Sequence, residues 1–227
     1  MNRSDWNRWL IVVLYSISMA WVEAAVVFYL RTHIDRIIPY QSNPLPVVGG
    51  FAPVELCREL ATLIMLFTVG WLAGRDWRTR FGYMVIIFGF WDIFYYVFLK
   101  IMTGWPDSLA NWDILFLLPL PWWGPVWAPM SIALLMLLWG TFVTQFESVA
   151  PSFRSHWKSF ALGGAGGALA LYVFMTDAVR TVREGEMALR NLLPDWFNWP
   201  LFCLALALMA VPVASAAGQA LRFGPSR

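Results

Sequence analysis

The feature that most restricts the fold of this chain is a series of long apolar runs. The run from Phe81 to Met102 is typical, because a helix needs about 20 mainly apolar residues to cross a bilayer. The whole sequence is 59% hydrophobic and 13% charged, whereas ordinary soluble domains carry about 25% charged residues. So few charges cannot cover a surface that is wetted on all sides. We therefore predict an all-α, polytopic membrane protein.

Runs of this kind predict about six transmembrane helices in a single domain that covers residues 1–227. No linker divides the chain, and the polar stretches between the runs are short enough to be loops. The segment 177–198 is polar, with mixed charge and helical periodicity, and we expect it to lie at the membrane surface. The predicted spans are approximately 9–30, 53–73, 81–102, 125–144, 159–176 and 199–217.

A proline-rich segment precedes the fourth predicted span. Pro119, Pro121, Gly124, Pro125 and Pro129 interrupt any helix there, because proline lacks the N–H that an interior helical position requires. We interpret 112–124 as a dipping or interfacial segment, and the alternative is one long span that is broken at the prolines. Non-helical backbone at membrane depth is tolerated only against protein or water. Both interpretations therefore predict a cavity near this segment.

An even number of spans places both termini on the same side of the membrane. The distribution of basic residues favours the cytoplasm for that side, since Lys and Arg are enriched in cytoplasmic loops, and it predicts a multi-pass protein of the cell membrane. The loop 74–80, with three arginines, is the strongest single mark. The basic residues on the side of the termini are Arg3, Arg8, Arg75, Arg78, Arg80, Arg154, Lys158, Arg222 and Arg227, against Arg31, Arg36, Arg180, Arg183 and Arg190 on the other.

With this topology, the ionisable residues of the spans fall between the midplane and the outer surface. We expect them to form one polar pocket that opens outward, because charged residues within a membrane are costly and are commonly functional. Asp92, Tyr96 and Lys100 follow one another at helical spacing and so share one face. The predicted ligand-binding residues are Glu23, Glu55, Arg58, Glu59, Asp92, Tyr96, Lys100 and Asp113.

Two of these carboxylates also share a face and need a cation. Glu55 and Glu59 stand four residues apart with Arg58 beside them, and like charges at this spacing repel each other. Arg58, Lys100, a proton or a metal ion could separate them. The cluster could be a binding site, or it could be an internal salt-bridge network that only holds helices together.

Several classes of site are not supported by the sequence. The net charge of +2 gives no electrostatic reason to bind nucleic acid. The two histidines, His33 and His156, lie in loops on opposite sides, so we predict no haem and no histidine-ligated metal, although carboxylates alone could hold a hard ion such as Mg or Ca. No Walker loop or dinucleotide fingerprint occurs. We therefore predict no cofactor and no metal.

Three functions remain open. The first is a protein that binds or moves a proton, a cation or a lipid-like molecule in the outward pocket. The second is an accessory subunit of a larger membrane complex, to which the Gly163–Gly167 face could dock, since small residues at this spacing let helices approach closely. Packing within the bundle is the simpler interpretation of that face. The third is an enzyme for a lipid-linked substrate, with Glu55, Glu59 or Asp92 as general base.

Overall fold

Six long helices form the protein in a computed structural model that describes residues 3–30, 32, 52–146, 157–185, 188, 192, 194 and 196–223. All six are long and apolar enough to cross a membrane. The prediction of an all-α bundle with six long helices is therefore confirmed, and the length and composition of these helices are those of a multi-pass membrane protein. The helices are α1 (Arg3–Tyr29), α2 (Ala52–Ala73), α3 (Trp77–Thr103), α4 (Trp127–Phe146), α5 (Trp157–Thr181) and α6 (Trp199–Phe223).

Helix α5 extends beyond its predicted end. We predicted the fifth span to end near residue 176 and a surface segment to begin at 177. Instead α5 continues to Thr181 and is followed by a short 3-10 turn, Val182–Glu184. The Asp177 carboxylate lies 3.9 Å from the Arg180 guanidinium, one turn later on the same helix. Polar residues therefore extend this helix beyond its apolar part. Residues 196–198 are not helical, and much of the rest of that segment lies outside the described residues.

The turn between α2 and α3 is short because α3 has a strong N-terminal cap. The Asp76 carboxylate accepts hydrogen bonds from the backbone N–H groups of Arg78 and Thr79, and the Thr79 hydroxyl accepts one from the Asp76 N–H. This reciprocal arrangement satisfies donors that the first turn of a helix leaves free. At the other end, Gly104 adopts a left-handed conformation with φ of 79°, which glycine allows at little cost.

The proline-rich segment forms a β-hairpin, which the sequence analysis did not predict. Strand β1 (Trp112–Phe116) pairs antiparallel with strand β2 (Trp122–Pro125). The segment is not helical, as expected, and α4 begins at Trp127 close to its predicted start. The alternative of one long span broken at the prolines is wrong. An antiparallel pair suits these residues because its backbone groups bond to each other where the prolines prevent a helix.

Packing divides the bundle into two groups of helices. Helix α3 packs against α1, α2 and α4, whereas α5 packs mainly against α6, and α4 joins the two groups through its contact with α6. Strand β2 lies against α4 and α5, so the hairpin contacts both groups. We call the end of the bundle that carries the hairpin the hairpin end, and the end that carries the turn between α2 and α3 the opposite end.

Glycines allow the closest helix contacts. A Cβ atom on Gly140 of α4 would lie 2.7 Å from the carbonyl oxygen of Gly82 on α3, so these backbones almost touch. On α5, a Cβ on Gly163 would meet the Pro212 ring of α6 at 2.9 Å, while Gly164 and Gly167 have nothing within 4 Å. The glycine face thus packs internally at Gly163, whereas its role in binding a partner stays a prediction.

Candidate functional site

Arg58, one of the cations that could separate the carboxylates, lies at the hairpin end of α2. Its Nε–H donates to Glu55 Oε2 at 2.8 Å, and its Nη1–H donates to Glu23 Oε1 on α1. The Thr62 hydroxyl donates to the second oxygen of Glu23 at 3.3 Å. Arg58 therefore links α1 to α2. Glu23 and Glu55 share this guanidinium, and Glu59 is not directly bonded to it.

Glu59 lies on the next turn of α2 and binds the hairpin instead. Both of its carboxylate oxygens accept the backbone N–H of Leu117, at 3.2 and 3.0 Å. Leu117 follows directly after β1 and has no strand partner for this N–H group. The carboxylate is buried, with 6% of the residue exposed. It remains close enough to Arg58, Glu23 and Glu55 for their charges to act on it.

A second polar contact attaches the hairpin to α3. The Tyr96 hydroxyl donates to Asp113 Oδ2 at 3.2 Å, and Asp113 Oδ1 accepts the N–H of Ile114 at 2.9 Å. Tyr96 and Asp113 are both buried. The sequence analysis placed the tyrosine beside Asp92 on one helix face, but its hydrogen bond goes across to the strand.

Asp92 and Lys100, both predicted ligand-binding residues, lie in different surroundings. Oxygen Oδ2 of Asp92 is enclosed and has no hydrogen-bond partner among the described residues, and Asp113 is close enough to repel its charge. Lys100 is exposed and donates to the carbonyl oxygen of Gly104 at 2.5 Å. This side chain thus satisfies a carbonyl at the end of its own helix, and its membership of the pocket stays a prediction.

An apolar cavity lies against the hairpin, where the sequence analysis expected one, and its lining includes residues one helical turn from Glu59 and from Asp92. Its volume is about 300 Å³. Glu59 stands one helical turn before the lining residue Leu63 on α2, and Asp92 stands one turn after the lining residue Phe88 on α3. Both carboxylates are therefore nearer to the hairpin end than these two lining residues are. The lining residues are Leu63, Phe88, Phe116, Leu118, Pro119 and Trp122.

The lining residues and the contact from Leu117 were missed in the sequence analysis. One signal was available: Glu59 and Leu63, like Phe88 and Asp92, combine an acid with an apolar residue at a spacing of four. That spacing predicts a polar and an apolar group one above the other. Which strand residue completes the cavity depends on the register of the hairpin, and the sequence does not reveal it.

Metal binding finds no geometric support in the part of the chain that the structure covers. No group of three or more His, Cys, Asp or Glu residues there is arranged to hold a metal ion. Both histidines lie outside the described residues. What the described geometry offers chemically is a set of carboxylate acceptors at the end of an apolar cavity.

Comparison with known proteins adds no family. No family model matches this chain, and neither a curated protein nor a solved structure matches it.

Proposed function

We propose that this protein binds a lipid-like molecule with a positively charged or hydrogen-bond-donating head. The head lies against the carboxylates at the hairpin end, and the hydrocarbon chain occupies the cavity between α2, α3 and the hairpin. The observation that carries this proposal is that Glu59 binds the N–H of Leu117, whose two chain neighbours line an apolar cavity of about 300 Å³.

The cavity has the size and lining of a ligand site. Small-molecule pockets usually measure about 300–1,000 Å³ and combine mostly apolar walls with a few polar groups that orient the ligand. The six lining side chains are apolar or aromatic, and they accept a hydrocarbon chain without leaving a polar group unsatisfied. The polar groups stand at one end only, which suits a molecule with one polar end.

Charge decides the preferred head. In the described part of this cluster, three carboxylates, from Glu23, Glu55 and Glu59, stand near one guanidinium, which is bonded to the first two. Arg58 already donates to two of them, so it has little capacity left for an anionic head. A positive head would reduce the repulsion among the acids, and an ammonium group can donate up to three hydrogen bonds. Glu55 and Arg58 are the accessible members, with 17% and 21% of their side chains exposed.

A purely structural role accounts for only part of this arrangement. The bond from Arg58 to Glu23 joins α1 to α2, and Glu59 holds the hairpin through Leu117. An uncharged acceptor, such as a side-chain amide, would hold the hairpin equally well. Burial of an additional acid is costly. The third carboxylate and the nearby cavity are not needed to hold the helices together, and the proposed binding function accounts for them.

Thermal unfolding of the purified chain in detergent tests the proposal. Single-chain amphiphiles of equal length should be compared with ammonium, hydroxyl and sulfate heads. We expect the ammonium form to raise the melting temperature progressively as its concentration increases, since a ligand that binds only the folded state stabilises it. Glu59→Gln should abolish this increase.

A matched control is available at Glu184, an exposed acid that follows α5. Glu184→Gln removes the same charge away from the cavity and should leave the response to the ammonium amphiphile intact. Equal stabilisation by the sulfate amphiphile, or equal loss in both variants, would show that the effect is not binding at this site.

The orientation in the membrane belongs to the same proposal. The three arginines of the turn between α2 and α3 favour a cytoplasmic position for that turn and for both termini of a cell-membrane protein, so the hairpin end faces outward. A reporter enzyme fused after Arg227 should then be active only in the cytoplasm. Activity outside the cytoplasm would invert the topology and open the site to the cytoplasmic leaflet.

A second candidate function, a subunit of a larger complex, is favoured by one observation. Gly164 and Gly167 of α5 have nothing within 4 Å of where a Cβ would stand, so a helix of another protein could approach there. Copurification from native membranes should recover such a partner, and Gly164→Leu should release it. The enzymatic alternative stays a prediction, which turnover of a lipid extract, lost in Glu59→Gln, would test.

A further inference from the structure

A second polar cavity lies at the opposite end of the bundle, between the start of α1, the turn before α3 and the end of α4. Its volume is about 140 Å³, which corresponds to about four or five waters at roughly 30 Å³ each. The sequence analysis assigned no site to this end. The lining residues are Asp5, Arg8, Arg75, Asp76, Thr79, Tyr83 and Thr144.

Most of the polar groups in this cavity already have partners, and three do not. Asp76 and Thr79 bond to each other across the cap of α3. In contrast, Asp5 is 4% exposed and its Oδ2 has no hydrogen-bond partner in the described part of the chain. The Arg8 guanidinium and the Tyr83 hydroxyl also form no hydrogen bond or ion pair with described residues. A buried acceptor without a partner costs about 1–3 kcal/mol.

The relation between Asp5 and Arg8 is informative. The two residues stand three apart on α1, a spacing at which an acid and a base commonly pair. Asp5 instead lies 3.5 Å from the Arg75 guanidinium through Oδ1, and Arg8 has no ion-pair partner among the described residues. A free acceptor and a free cation therefore line the same small cavity as neighbours on one helix face.

The charges of the cavity favour a ligand with no net charge and two opposite ends. Arg8 and Arg75 are balanced by Asp5 and Asp76, so a simple anion or cation would leave an excess of one sign. A phosphate can accept from Arg8 and from the Tyr83 hydroxyl. A primary amine can donate to Asp5 Oδ2.

The surroundings match the head-group region of a membrane. The indole rings of Trp6 and Trp9 stack at 4.9 Å near this end of α1, and Trp77 at the start of α3 is exposed. Tryptophan is enriched where membrane-spanning helices meet the head groups. We propose that this cavity binds a zwitterionic head that joins a phosphate to a primary amine, as in an ethanolamine phospholipid. This site is independent of the one proposed at the hairpin end.

Native mass spectrometry of the purified full chain, titrated with short-chain phospholipids, tests this assignment. Ethanolamine and choline heads should be compared on identical chains, because both carry a phosphate and no net charge but only ethanolamine has N–H donors. We expect the ethanolamine lipid to bind about tenfold more tightly, which corresponds to one hydrogen bond to a charged group. Equal affinity for the two heads would overturn the proposal.

Single substitutions test whether the lipid head binds in this cavity. Arg8→Gln should weaken both lipids about tenfold through loss of the phosphate contact, and Asp5→Asn should remove the preference for ethanolamine. If Asp5→Asn does not fold, Tyr83→Phe keeps the ring packing and should weaken both lipids by a smaller factor. Arg78→Gln, which removes a positive charge outside the cavity, serves as the control and should bind as the original chain does.

Competition with a soluble head group distinguishes a membrane lipid from a soluble ligand. If soluble phosphoethanolamine displaces the short-chain lipid at similar concentrations, the ligand is the soluble compound. If it does not, the hydrocarbon chains contribute and the ligand is a membrane lipid. Unchanged binding of both lipids by Arg8→Gln and Tyr83→Phe would show that the cavity holds only water.

Discussion

Glu59 holds the hairpin to α2 by accepting the N–H of Leu117 with both carboxylate oxygens, at 3.2 and 3.0 Å. The contact joins residues 58 positions apart in sequence. It fixes the loop that closes one side of the apolar cavity, since Leu118 and Pro119 follow directly and line that cavity. One side chain thus positions a wall of the cavity.

The first prediction concerns this contact. Glu59→Ala leaves the buried Leu117 N–H without a partner and should lower the free energy of unfolding by about 1–3 kcal/mol. Glu59→Gln keeps one acceptor oxygen and should lose clearly less. Thermal unfolding in detergent measures both, and equal stability of the alanine variant and the original chain would contradict the role given to Leu117.

The second prediction concerns the bond between Arg58 and Glu23. Arg58→Met leaves two partly buried carboxylates without their cation and should destabilise by about 3–5 kcal/mol at most. Adding Glu23→Gln removes part of the unpaired charge, so the double variant should be more stable than Arg58→Met alone. The free energies of the double-mutant cycle measure this coupling. Strictly additive losses would mean that the two side chains act independently.

The third prediction concerns Asp92. Its Oδ2 has no hydrogen-bond partner among the described residues, and Asp113 is close enough to repel it. Asp92→Asn keeps the volume and removes the repulsion, so the melting temperature should stay the same or rise. A marked decrease would reveal that Asp92 holds a cation in place. Loss of amphiphile binding without loss of stability would place Asp92 in the binding site.

The fourth prediction compares two glycines of the bundle. Gly140→Ala places a methyl group 2.7 Å from the Gly82 carbonyl oxygen, which forces α3 and α4 apart and should cost about 1–3 kcal/mol, as overpacking does. Gly164→Ala meets nothing within 4 Å and should be neutral or slightly stabilising, because alanine favours the helix. Similar melting temperatures for the two variants would contradict the close approach of α3 and α4.

The helices were predictable because lipid leaves few alternatives for an apolar run of about 20 residues. The pairing of Arg58 with Glu55 was predictable for a similar reason, since residues three apart on a helix are neighbours. The partner of Glu23 was not, because the rotation of α1 relative to α2 depends on side-chain packing between them. Spacing along one helix shows which residues share a face of that helix. It does not show which residues of another helix pack against that face.

The hairpin was the largest gap in the prediction. Its strands are short, and the run around Trp122 and Trp123 does not alternate between apolar and polar residues as a half-wetted strand does. The register that pairs Asp113 with Gly124 follows from contacts with three helices distant in sequence. For the same reason, the sequence indicated that Tyr96 and Asp113 belong to the site but not that they bond to each other.

The position of Gly124 has a consequence for the order in which the protein assembles during synthesis. A Cβ on Gly124 would stand 3.1 Å from the ring of Phe174 on α5, so the outer side of β2 is covered by a helix that leaves the ribosome some fifty residues later. Until α5 has been synthesised, this face of the strand lacks its cover. The hairpin therefore reaches its final packing only after α5 has followed it, and the cavity that it forms with α2 and α3 is completed late in synthesis.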